Sequence, residues 1–111
     1  MARQDNAMEN QESLGKKLRD LRKERNEPLR VVAAAVEIDS SLLSKIEYGE
    51  RLPTEQQLKK FAKYFEISLE ELTAQAIAEK IITNYASNTT TLQALKIAES
   101  RINSYLVDKN E

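Results

Sequence analysis

Ser40, Ser41, Ser44 and Lys45 fall within one short segment that opens at Asp39. The same segment carries Leu42, Leu43 and Ile46, so polar groups and apolar groups alternate at helical spacing and occupy opposite sides. Serine hydroxyls donate or accept hydrogen bonds and an ammonium donates, so the chemistry on offer is recognition by hydrogen bonding. Tyr48 and Arg51 follow the segment and Arg30 precedes it. A phenol hydroxyl and two guanidinium groups suit oxyanions, phosphate above all. Plainer readings stand beside these. Small polar residues such as Ser40 and Ser41 favour a helix start in any protein, and Arg51 suits a solvated loop.

Other chemistries lack their residues. The chain has 111 residues with no Cys and no His, which excludes disulfides, thiol chemistry, zinc sites and His-based acid–base catalysis. No nucleophile–base pair or metal cluster is visible, so neither an enzyme nor a cofactor is expected. No apolar run approaches the about 18 residues of a membrane span, and MARQDNAMENQ lacks the apolar stretch of a signal peptide. A soluble, cytoplasmic protein is therefore expected, with no small-molecule ligand implied. The net charge of −1 argues against a nucleic-acid partner until its distribution is considered. Residues 13–65 hold 12 Lys and Arg against 8 Asp and Glu, whereas the remainder hold 5 against 10. One basic and one acidic half suggest a phosphate-facing domain and a separate segment that makes no such contact.

The elements that must position these groups are helices. Apolar residues make up 41%, and only two Gly and two Pro are present. Strand-like alternation is not sustained, so the class is all-α. Residues 1–11 have no apolar spacing and read as a disordered tail. Ser13 is a candidate N-cap for a first helix with Leu14, Leu18 and Leu21 inward and Lys16, Lys17, Arg19, Lys23 and Arg25 on its other faces. Pro28 ends that stretch and suits the first turn of a second helix, about 29–36, with Val32, Ala33 and Val36 inward. Asp39 caps a third, about 40–48, through the N–H of Ser41 or Leu42, and Gly49 supplies its left-handed C-cap. Thr54 with Gln57, Ser68 with Glu71 and Thr90 with Gln93 are capping boxes. They open helices over about 55–64, 69–86 and 91–106. The fourth buries Leu58, Phe61, Ala62 and Phe65.

Two short helices around a tight break at Val36-Glu37-Ile38 have the layout of a helix-turn-helix, whose second helix enters the DNA major groove. Residues 13–72 resemble the lambda-repressor-like (Cro/C1, XRE-type) family of small bacterial or phage transcriptional regulators. The resemblance rests on Leu18-Arg19-x-Leu21-Arg22, Val32-Ala33, Ile38-Asp39, the run Leu43 to Arg51, Leu52-Pro53-Thr54, and the closing Leu58, Phe61-Ala62, Phe65, Ile67-Ser68 and Leu72. It implies a five-helix DNA-binding domain, here 12–73, with an added C-terminal helix. It further implies that Ser40, Ser41 and Lys45, with Ser44 on the adjoining flank, contact base edges. Lys45 would prefer guanine O6 or N7. Arg30, Tyr48 and Arg51 are then phosphate contacts, and Arg22 with Glu47 a structural ion pair between the first and third helices. Two positions depart from the family pattern: Leu29 stands where a phosphate-bonding glutamine is usual, and Glu37 where the turn usually has glycine.

Residues 74–111 form the last expectation. Ile77, Ile81, Ile82, Leu92, Leu95, Ile102, Tyr105 and Leu106 give these helices more apolar surface than a lone helix should expose. They either build a homodimer interface or fold back to complete the monomer's core. Relatives usually dimerise on half-sites about one helical turn apart, so a palindromic double-stranded operator is expected. The resemblance implies a repressor or autoregulator, such as the controller of a restriction–modification system. The alternatives are an antitoxin that masks a toxin with its C-terminal helices, or a protein-interaction module that has lost DNA binding.

Overall fold

Capping chemistry sets where the helices begin. In the computed structural model, which describes residues 12–110, six helices account for the regular structure and no strand is present among those residues. They are α1 (Leu14–Glu24), α2 (Leu29–Ala35), α3 (Ser40–Glu47), α4 (Glu55–Phe65), α5 (Leu69–Tyr85) and α6 (Thr91–Asn110). The expected tail over 1–11 lies outside the described residues. Ser13 Oγ accepts from Lys16 N at 3.1 Å, and Asp39 Oδ1 accepts from Leu42 N at 2.7 Å. Thr54 and Gln57 form the full reciprocal box, at 3.1 and 2.9 Å. At α5 the serine half of the box is present, Ser68 Oγ accepting from Glu71 N at 3.1 Å. Thr90 departs from expectation. Asn88 Oδ1, two residues earlier, takes both its N–H (2.9 Å) and its hydroxyl (2.6 Å), so a local Asx turn replaces the box with Gln93.

The helix ends share a device that composition conceals. After α1, α2, α3 and α4 the chain passes through a left-handed residue: Asn26 (φ 55°), Glu37 (φ 63°), Gly49 (φ 80°) and Glu66 (φ 57°). At α2, Glu37 N donates to Ala34 O and Ile38 N to Ala33 O, at 3.2 and 2.9 Å. Those are the two bonds of a Schellman ending, which satisfy carbonyls that the helix itself leaves open. Only one of the four positions is glycine. The others carry a side chain in a region that costs roughly 1–2 kcal/mol per residue.

The chain divides into two compact units, one ending at Glu79 and the other starting at Lys80. In the first, Leu14 and Leu18 of α1, Val32, Ala33 and Val36 around α2, Leu43 and Ile46 of α3, Leu58, Phe61, Ala62 and Phe65 of α4, and Leu72 and Ala76 of α5 form one buried core. The division falls six residues beyond the boundary expected at 73/74. Ala76 is still buried there, and Glu79 Oε2 accepts from Leu14 N at 3.0 Å, capping the start of α1 from a distant helix. In the second unit the last turn of α5 and the start of α6 are joined through Thr91, whose hydroxyl donates to Tyr85 O at 2.6 Å. Among the described side chains of α6, all but Thr91 are exposed.

Candidate nucleic-acid interface

Three inward residues fix the rotation of α3. Leu43 and Ile46 lie in the core, and Glu47 is buried although it is charged. At 3.6 residues per turn, burying 43, 46 and 47 leaves 41, 45 and 48 on the opposite side. Ser41, Lys45 and Tyr48 are accordingly exposed, while Ser40 and Ser44 sit half-buried on the flanks. The helix thus presents a hydroxyl, an ammonium group and a phenol in one row.

α1 clamps the last turn of α3 at three points, Gly15, Arg19 and Arg22, which follow one another at four- and three-residue spacing. A Cβ on Gly15 would lie 2.3 Å from Ile46 O and 2.5 Å from Glu47 O, so the two helices approach at backbone distance. Arg22 meets Glu47 through two parallel bonds, Nε to Oε2 at 2.7 Å and Nη2 to Oε1 at 3.0 Å. Its Nη1 donates to Glu27 O at 3.0 Å, so the guanidinium also reaches back to the turn before α2. The Glu47 side chain is 1% exposed and that of Arg22 13%, which makes this a buried ion pair. Its hydrogen bonds to Glu47 hold the Arg22 guanidinium above its ordinary value, further than burial lowers it. Arg19, at the middle point, lies over the Tyr48 ring at 4.9 Å from its centroid.

The turn and the following loop are fastened in the same manner. Glu37, in the left-handed position, pairs with Lys60 of α4. That contact, chiefly its hydrogen bond, holds the Glu37 carboxyl below the usual range. Leu29, at the position where the family usually has a phosphate-bonding glutamine, is half-buried against the core, and the exposed residue beside it is Arg30. After Gly49, Glu50 N and Arg51 N both donate to Lys45 O, at 2.8 and 3.3 Å. They place the exposed Arg51 at the end of the α3 face. Arg30 makes no hydrogen bond or ion pair among the described residues.

Gly15 and Arg19 escaped the sequence reading, which placed Arg19 on an open face of α1. Arg25 did as well: its guanidinium lies 4.9 Å from the Tyr64 centroid and 5.4 Å from that of Phe65, and Nη1 donates to Tyr64 O at 3.1 Å. Only the glycine gave a usable sign, as one of two in the chain and one standing in the first turn of a helical pattern. Ile77, Ile82, Leu92, Leu95, Ile102, Tyr105 and Leu106 are exposed and Ile81 is half-buried.

A comparison with curated proteins finds no match. Among solved structures, the crystal structure of the clp gene regulator ClgR from Corynebacterium glutamicum is similar, with 22% identity and a TM-score of 0.50 over 83% of this chain and 87% of that one. At that identity the likeness speaks for the fold alone. A family model described as a helix-turn-helix domain matches residues 13–76. The matched stretch is more than half of the chain and contains α1 to α4, the Arg22–Glu47 pair and the whole exposed row of α3, so the chain belongs to the helix-turn-helix domain family.

Proposed function

We propose that the protein is a sequence-specific, double-stranded DNA-binding transcriptional regulator that acts as a homodimer on a palindromic operator, as a repressor or autoregulator. The observation that carries this reading is the split of α3: Ser41 and Lys45 open to solvent, Leu43, Ile46 and Glu47 inside. An α-helix fits the major groove, and there Ser40, Ser41, Ser44 and Lys45 read base edges. Each good contact contributes roughly 1–3 kcal/mol of discrimination. Arg30, Tyr48 and Arg51 hold phosphates and fix the register without reading sequence. The similar solved structure is that of a clp gene regulator, and a regulatory role here is in keeping with it.

Dimerisation supplies what one short helix lacks. The apolar side chains that α5 and α6 leave exposed, from Ile77 to Leu106, fit a second copy of the chain, and two copies double the base contacts. Selection of bound sequences from random duplex DNA tests the whole reading. The expected result is a palindromic consensus with half-sites about one helical turn apart. Recovery of no consensus, with binding insensitive to salt, would favour a protein-interaction module in its place.

A further inference from the structure

We propose that Arg19 is a phosphate-positioning residue of the DNA-binding face, held ready by stacking on Tyr48 so that the two form one clamp at the end of α3. The inference rests on the DNA-binding reading and adds to it a residue from α1, outside the two helices of the motif.

Three other cations of α1 and its C-cap face carboxylates. Lys16 pairs with Asp20 at 2.7 Å, Arg22 with Glu47 at 2.7 Å, and Arg25 lies 4.0 Å from Glu27. Arg19 makes no ion pair among the described residues, and its Nε is buried without a hydrogen-bond partner there. What holds it is the Tyr48 ring, 4.9 Å from the guanidinium carbon to the centroid. A guanidinium is planar, always charged and more weakly hydrated than an ammonium group, so stacking orients it without occupying its in-plane donors. With Nε covered, the donors left for an external acceptor are those of the terminal nitrogens. Tyr48 itself is 64% exposed and shares the row of Ser41 and Lys45. A fixed cation and an exposed hydroxyl therefore stand side by side where the recognition helix ends. An acceptor with several anionic oxygens satisfies both, and on a duplex that acceptor is the phosphate backbone.

The test is equilibrium binding of the full chain to duplex DNA across a salt series. The unaltered protein should show a steep fall of affinity with salt. Arg19→Gln should make the slope shallower by about one phosphate equivalent and weaken binding about fivefold at 0.15 M salt, equally for all sequences. The lost contact with the Tyr48 ring should lower its melting temperature only slightly. In a Tyr48→Leu background the same change should have a smaller effect, since the platform is gone. An Arg19→Gln protein that binds with the original slope overturns the proposal, even if its affinity falls, because that is the mark of a merely structural role. If Arg19→Gln does not fold, Arg19→Lys and Arg19→Met give the same comparison, and equal slopes for the two overturn the proposal. A flat slope for the unaltered chain removes the DNA-binding reading itself, an outcome distinct from a steep slope that Arg19 does not influence.

Discussion

A carboxylate with 1% of its surface in water depends on its one guanidinium partner for compensation, and Glu47 has that partner in Arg22. Removing one member of a buried pair leaves an uncompensated charge, which costs roughly 3–5 kcal/mol. Glu47→Ala leaves the Arg22 guanidinium largely covered and unpaired, so denaturant unfolding should show a loss of that order. A Glu47→Ala protein that keeps its stability yet loses DNA binding would count against the structural role. Tyr64 offers a second measurement. Its hydroxyl donates to Glu27 Oε2, and that bond, with desolvation, raises its pKa above the ordinary phenol value. A raised folded value means that the stabilisation is fully present below the ordinary phenol range and is lost as pH rises through the folded pKa. Ultraviolet titration of the folded chain should show a late phenol ionisation, and Tyr64→Phe should abolish it.

At the scale of elements, helix starts follow the sequence closely and helix ends do not. Asp39, Thr54 and Ser13 cap through their own side chains, so the signal is local and each cap formed where it was expected. Asn26, Glu37 and Glu66 adopt positive φ where the chain turns between helices, and of these residue types only asparagine favours that region. Glycine removes the left-handed penalty at the cost of added freedom in the unfolded chain. Glu66→Gly should therefore raise stability by about 0.5–1 kcal/mol in denaturant unfolding. Glu37→Gly should gain less, because it also loses the pair with Lys60. Gly15 shows the reverse constraint. Gly15→Ala places a carbon within 2.5 Å of two α3 carbonyl oxygens, so α1 and α3 must separate. Overpacking of this sort costs roughly 1–3 kcal/mol, to be read in the same unfolding assay. It should also disturb the orientation of Ser41 and Lys45.

For the molecule as a whole, the two units divide labour along the chain. The first buries its apolar residues in a core of its own. The second ends in a 20-residue helix whose described apolar side chains are all exposed. Isolated helices draw little stability from propensity, and most of it comes from packing an apolar face. A second copy supplies that packing under the reading proposed above. Ile102→Glu with Leu106→Glu places charge on the exposed apolar set, and sedimentation velocity should then find monomer where the unaltered chain is dimeric. The variant should bind a single half-site far more weakly than the dimer binds its full operator. An unaltered chain that sediments as a monomer at high concentration would remove the dimer from the account.

What the sequence determined by itself is what spacing and local chemistry encode. That covers the all-α class, the helix starts, the apolar stripes from Leu14 to Leu72, and the motif around residues 29–54. These are legible because a cap, a helical period or a turn involves residues within about four positions of each other. Only the tertiary structure decided that α1 also holds α3 through Gly15 and Arg19, that Glu79 caps α1, and that Leu29 packs inward. Each of those depends on partners distant in the chain, and side-chain type alone does not say whether an arginine meets water, a carboxylate or a tyrosine ring.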